Sequence, residues 1–135
     1  MSQLSPELYW LTLTALATAL FWLPYTLELI RQMGLNGALA DGQHETRLEA
    51  SWARRAKRAH TNAVENLIVF AALVIALQLS GQTTPLTATV CMVFFASRMG
   101  HYAVYVAGLP YIRTVLFAIS WTCQLILAAS LLGFV

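Results

Sequence analysis

Charge is what this sequence is short of. Asp, Glu, Lys and Arg make up 10% of its 135 residues, against about a quarter of an ordinary soluble domain. Apolar residues reach 59%. A chain this small has too little interior to hide them from water, which excludes a soluble globular domain and makes lipid the natural solvent. Cysteine is scarce as well. Cys91 and Cys123 sit inside apolar runs without CxxC spacing, so they read as packing residues and not as a disulfide or a metal pair. The histidines are His44, His60 and His101, with neither HxxxH nor HxxE spacing, so no metal site is expected. There is no phosphate-cradling glycine loop, no serine–histidine–acid arrangement, no basic face to meet a nucleic acid and no lipidation signal, since Ser2 follows Met1. A basic n-region is also missing ahead of the first apolar run. That run is too long for a signal peptide and is expected to be a retained first span.

What is present is four apolar runs, each near the roughly 20 residues needed to cross about 30 Å of hydrocarbon. They predict an all-α, integral membrane four-helix bundle of up-down-up-down topology, one domain over residues 1–135, with spans of about 5–33, 52–79, 84–107 and 110–132. Ser5-Pro6 and Thr84-Pro85 are cap-then-proline starts. Ser80-Gly81 and Gly108-Leu109-Pro110 are stops, and Pro24 predicts a kink in the first span. Gly34 to Ser51, with Gly37, Gly42 and mixed charge, reads as a solvated loop or as a partial lid over the membrane face.

The few charges are unevenly placed. Most lie between Glu28 and Arg58. Arg31, Arg47, Arg54, Arg55, Lys57 and Arg58 flank or occupy the first loop, whereas Ser80 to Thr84 and both termini carry no Lys or Arg. The positive-inside bias therefore puts the first and third loops in the cytoplasm.

Polar groups within spans are costly in lipid and mark function by default. On the second span Arg58, Asn62 and Glu65 share a helical face at i, i+4, i+7, while His60 and Asn66 lie off that line. On the third, Arg98, His101 and Tyr105 share one at i, i+3, i+7. Arg98 lies on the order of 13 Å from the Gly108 turn at 1.5 Å per residue. Arg113 and Thr114 open the fourth span, and Arg31 closes the first. Topology thus gathers polar residues from all four spans into one half of the membrane, the opposite half being almost wholly Leu, Ala, Val, Ile, Phe and Thr. Arg31, Arg58, Arg98 and Arg113 outnumber Glu65. Guanidinium forks suit carboxylates, so an anionic ligand carrying one amine, such as a small acidic peptide, complements the set. The competing readings are snorkelling for Arg31 and Arg58, a structural Arg98–Glu65 ion pair, and packing or interfacial roles for His101 and Tyr105.

Arg58-Ala59-His60-Thr61-Asn62-Ala63-Val64-Glu65-Asn66 resembles the second-helix motif of the MAPEG family, membrane-associated proteins in eicosanoid and glutathione metabolism. Arg98-Met99-Gly100-His101, then Tyr105, then Pro110-Tyr111-Ile112-Arg113, resembles the third- and fourth-helix signature of that family. The likeness spans nearly the whole chain and is nearest to short bacterial members, which implies a bacterial inner membrane as its location. It implies a homotrimer with glutathione as cosubstrate between subunits on the cytoplasmic side. Arg58 and Asn62 would hold the peptide, Glu65 its amino group, and His101 and Tyr105 would line the site, with Arg31 and Arg98 completing the basic set. Arg113 would stabilise the thiolate, and Thr114 corresponds to a serine in some members. Thr61 departs from the pattern, standing where some glutathione-using members carry another basic residue. A guanidinium near the sulfur favours thiolate at neutral pH, which would attack a lipophilic electrophile entering from the bilayer. Two other readings stay open: a non-catalytic protein whose polar cluster binds lipid headgroups or a partner, and a small proton-coupled exporter. Glu28 argues against the exporter, because it sits beside Arg31 at i+3 near the end of its span and not deep within it.

Overall fold

The computed structural model describes residues 4–40 and 48–135; the expectations for Gly42, His44 and Arg47 fall outside them. Among the described residues every regular element is helical: α1 Pro6–Leu20, α2 Leu23–Ala40, α3 Ser51–Ser80, α4 Pro85–Ala107 and α5 Pro110–Leu131. Four segments are long and apolar enough to cross a membrane: α1 with α2, then α3, α4 and α5. The chain is a multi-pass membrane protein.

Local chemistry sets the boundaries. Ser5 Oγ accepts the Leu8 amide at 3.2 Å. Thr84 and Thr87 cap each other reciprocally, each hydroxyl accepting the other's amide, at 3.2 and 2.8 Å. Gly81 and Gly108 end α3 and α4 with φ of 69° and 81°, a left-handed conformation that only glycine adopts cheaply. The kink expected at Pro24 appears as a break between α1 and α2. Pro24 has no N–H to offer the Leu20 carbonyl, and the chain turns at Phe21-Trp22. Phe21 O then accepts the Tyr102 hydroxyl of α4 at 3.1 Å, with the two rings stacked 3.8 Å apart.

The first span was expected to end at Met33 and give way to loop at Gly34. Instead, helix resumes to Ala40, and Gly34 alone is non-helical, at φ 75°. The reason is packing. Ala38 is buried in a cluster with Leu29, Leu48, Ala53 and Ala56, so residues past Gly34 have a surface to dock on.

Between helices in lipid there is no hydrophobic drive, and close packing takes its place. Ala53, Ala56, Ala59 and Ala63 are buried along one seam of α3, where their small side chains let backbones approach. Further along, Phe70 and Phe94 stack at 3.9 Å among Val74, Leu77, Val90, Cys91, Cys123 and Leu127. Both cysteines are free and buried there. α4 packs most closely on α5 and also on α1 and α3, while α2 leans chiefly on α3.

One expectation fails at the end of the bundle away from the arginines, which is not purely apolar. Glu7 is 2% exposed and accepts the Thr87 hydroxyl at 2.6 Å; Gln78 donates to Ser5 Oγ at 2.6 Å. Glu7 and Thr87 each sit in the first turn of a helix, α1 and α4. Helix N-termini carry partial positive charge, so a carboxylate is tolerated there without a basic partner. The capping position explains why the rule about membrane charges misses it.

Candidate functional site

Arg98 is the centre of the polar region. Its side chain projects from α4 into the bundle and is 2% exposed. Nη2 donates to Asn62 Oδ1 of α3 at 2.7 Å, and Nη1 reaches Ser120 Oγ of α5 at 3.5 Å. Ser120 spends its own proton on the Phe117 carbonyl at 2.8 Å, leaving a lone pair for Arg98. Three spans therefore converge on one guanidinium. A second tier continues the network: Asn66 Nδ2 donates to Asn62 O at 2.9 Å, and Gln124 Nε2 donates to Asn66 O at 3.2 Å.

The site is not saturated. Arg98 Nε and His101 Nδ1 are buried without a hydrogen-bond partner among the described residues. Buried polar groups are nearly always paired, so each orphan needs an explanation. No carboxylate lies within ion-pair distance of Arg98, because the one ion pair among the described residues joins Arg31 to Glu28 at 2.7 Å. A structural Arg98–Glu65 pair is therefore absent.

From His101 an aromatic ladder descends to the start of α5. The His101 ring meets Tyr105 edge-on at 5.6 Å. The Arg113 guanidinium lies over the Tyr105 ring, 4.4 Å from its centroid, a cation–π arrangement that orients it without neutralising it. Thr114 is exposed beside it and donates to the Pro110 carbonyl at 3.0 Å. One residue further along, Val115 begins an apolar groove of about 460 Å³ between α4 and α5 that continues past Ala118, Ile119 and Thr122.

The other candidates stand apart from this ladder. Arg58 and Glu65 are both exposed on the outer face of α3, and Asn62 between them is half-buried. Arg31 is exposed and holds Glu28 through two nitrogens, at 2.7 and 2.9 Å. Within a single chain, then, Arg98, Asn62, His101, Tyr105 and Arg113 are brought together, and Arg31, Arg58 and Glu65 are not.

Several residues take part that the sequence reading passed over. Ser120 and Gln124, at i, i+4 on α5, are polar side chains inside a mostly apolar span, and that spacing was the available signal; Asn66, expected off the polar line of its span, joins them. Two arginines of the basic cluster prove to be fasteners. Arg54 donates to the Leu48 and Glu49 carbonyls at 2.8 and 2.6 Å. Arg55 donates to Val106 O at 2.9 Å, a cation at the C-terminus of α4, packed so tightly on Gly108 that a Cβ there would meet its guanidinium at 3.3 Å. The off-line His60 accepts or donates a hydrogen bond at 2.9 Å with the Tyr25 hydroxyl, tying α2 to α3. Among the described residues no group of three His, Cys, Asp or Glu side chains is placed to hold a metal.

Comparison with known proteins fits the arrangement of four spans. No curated protein matches the chain. The sequence model of the MAPEG family, however, matches residues 8–133, from the first turns of α1 to just past the end of α5, and the chain belongs to the MAPEG family.

Proposed function

We propose that the protein is a glutathione-dependent membrane transferase or peroxidase that uses the thiolate of glutathione against a lipophilic electrophile. The observation that carries this is Arg113. Its guanidinium is oriented by Tyr105 and has no carboxylate partner among the described residues; the same helix lines an apolar groove with α4 from Val115 onward. An oriented cation at the start of a helix whose other face is an apolar groove suits a thiolate meeting an apolar acceptor that arrives along α5. Family membership supports the same chemistry, since MAPEG proteins include glutathione transferases and peroxidases.

The residues fit the peptide. Glutathione carries two carboxylates and one ammonium. Arg58 and the Asn62 carboxamide offer donors to the carboxylates and Glu65 an acceptor to the ammonium, while His101, buried beside Tyr105, backs the inner wall of the site. Arg98 and Arg31 complete the positive field. Arg113 holds the sulfur as thiolate by charge and N–H hydrogen bonding, and the Thr114 hydroxyl would join it on turning away from the Pro110 carbonyl; in the transferase reaction the thiolate electron pair forms the carbon–sulfur bond of a thioether as the electrophile's leaving group departs with its own bonding pair.

The site is completed in a homotrimer. Arg58, Thr61, Glu65, Ile68, Ala72, Ile75 and Leu79 are all exposed and recur along α3 at alternating steps of three and four, the period of a helix–helix seam. Arg58 and Glu65 facing lipid would each cost at least about 2.5 kcal/mol on insertion scales near the bilayer centre, and neighbouring subunits remove that cost. With the first and third loops cytoplasmic by the positive-inside bias, glutathione would enter between subunits from the cytoplasmic side of a bacterial inner membrane.

The test is spectroscopic. Glutathione added to the purified protein in detergent should produce thiolate absorbance and stoichiometric binding, followed by conjugation of a hydrophobic electrophile. Neither absorbance nor binding would leave the site as a lipid or partner contact and end the catalytic reading.

A further inference from the structure

The Arg98–Asn62 hydrogen bond has a direction that matters for recognition. A guanidinium has donors only, so the Asn62 atom 2.7 Å from Arg98 Nη2 must be the carbonyl oxygen. This holds whichever way an unconstrained carboxamide would be assigned. The Asn62 amino group is thereby turned to the opposite side, where it makes no hydrogen bond to any described residue. Free asparagine presents a donor or an acceptor by flipping its amide. Here the flip is blocked, because it would bring N–H against N–H at a cation that is 2% exposed.

The lock is itself braced. Arg98 is held from the α5 side by Ser120 Oγ. The turn of α3 bearing Asn62 is held by Asn66 Nδ2 on the Asn62 carbonyl, and Asn66 by Gln124. Gln124, Ser120 and Arg98 are all buried, so none of the three is placed to meet a ligand in the way half-buried Asn62 is.

We infer that Arg98 is a positioning residue that fixes Asn62 as a donor-only contact for a ligand carboxylate, with Gln124 bracing Asn62 through Asn66. This rests on the proposal that the ligand is glutathione. It assigns the most buried arginine a role in choosing the ligand's charge without touching it.

The experiment compares glutathione with its two mono-amidated analogues, each with one carboxylate converted to carboxamide, by calorimetry on the full-length protein in detergent. Asn62→Asp keeps an acceptor for Arg98 while replacing the outward N–H₂ with a carboxylate oxygen. It should stay folded and bind glutathione about ten- to a hundredfold more weakly. It should also prefer one amidated analogue over glutathione, reversing the wild-type order. Arg98→Met, which removes the lock, should raise the KM for glutathione and narrow the preference between glutathione and that analogue while leaving kcat at saturation nearly unchanged. Arg98→Lys, keeping one buried donor, should restore much of the preference. Gln124→Leu should reproduce the Arg98→Met pattern more weakly. A merely structural tie predicts changes in melting temperature with the ligand order intact, so an unchanged order in Asn62→Asp and Arg98→Met overturns the inference. Wild-type protein that binds glutathione but shows that unchanged order in the variants sinks the positioning role alone; wild-type protein that binds none sinks the underlying reading with it.

Discussion

The two ends of the bundle each bury one charged side chain to the same extent, Glu7 and Arg98 at 2% exposure, and treat it in opposite ways. Glu7 is closed off. It accepts a short hydrogen bond from Thr87 in the first turn of α4, at a helix end whose partial positive charge suits it. Arg98 is left open. Two of its nitrogens are engaged over three spans, and among the described residues neither its Nε nor the neighbouring His101 Nδ1 has a partner. A buried charge whose needs are met locally is architecture, whereas one with a spare donor beside an unpaired imidazole, and its carboxamide partner turned toward the outside, belongs to a site. Burial alone does not separate the two charges; whether each has partners for its own atoms does, since the Glu7 end also holds an unpaired buried atom, Ser130 Oγ.

The sharpest way to break that contrast is at the open end. Arg113→Ala should fold normally, since the residue lies in the first turn of α5 and its guanidinium rests on the Tyr105 ring without an ion-pair partner among the described residues. Turnover with glutathione should nevertheless fall about 10²- to 10³-fold, the range for losing one group that stabilises a developing or standing anion. Thiolate absorbance in the presence of glutathione should vanish in parallel. Full turnover in this variant would remove Arg113 from the chemistry.

Glu65→Gln should act on binding more than on the reaction. Its carboxylate is exposed, so the fold does not depend on it, but the ligand ammonium does. Affinity for glutathione should drop about tenfold, in keeping with a hydrogen bond to a charged group, with kcat at saturation within a factor of a few. Equilibrium binding beside single-turnover kinetics separates the two.

At the closed end the signature should invert. Glu7→Ala removes the hydrogen bond that ties α1 to α4, leaving the Thr87 hydroxyl only its local partner, the Thr84 carbonyl, which should cost about 1–2 kcal/mol of stability and lower the melting temperature. Glutathione affinity and turnover should not move. A Glu7 variant with normal stability but weakened binding would make the two ends one coupled system, and the distinction drawn from their unsatisfied atoms would collapse.

How much of this was legible beforehand follows from what each signal depends on. The four spans could be read because length and apolarity are properties of single segments, and cap-then-proline pairs mark their starts without reference to neighbours. The convergence of Asn62 and Arg98 was not, because a face shared within one helix says nothing of which partner it meets. Arg54 and Arg55 looked like the other arginines of their cluster; only the carbonyls they reach, Leu48, Glu49 and Val106, mark them as fasteners. Glu7 was passed over because it stands at a span's margin, where the capping geometry that excuses it is a tertiary fact. Helix beyond Gly34 was hidden for the same reason, since Ala38 has a docking surface only once Leu48 and Ala53 are in place.

The smallest expected effect tests the residue between the two categories. Arg31 is exposed and paired with Glu28, which looks settled, yet exposed ion pairs contribute little to stability and exchange readily. Glu28→Gln should leave the melting temperature unchanged. If Arg31 belongs to the peptide site, freeing it should tighten glutathione binding slightly, and the gain should shrink as salt is raised, because screening weakens exposed charges first. If it anchors to headgroups instead, binding should be indifferent to the variant at every ionic strength, while association with anionic bilayers changes. Arg31 would then join Arg54 and Arg55 among the arginines that hold the protein in place, leaving Arg58, Arg98 and Arg113 as the basic set that meets or aims at the ligand.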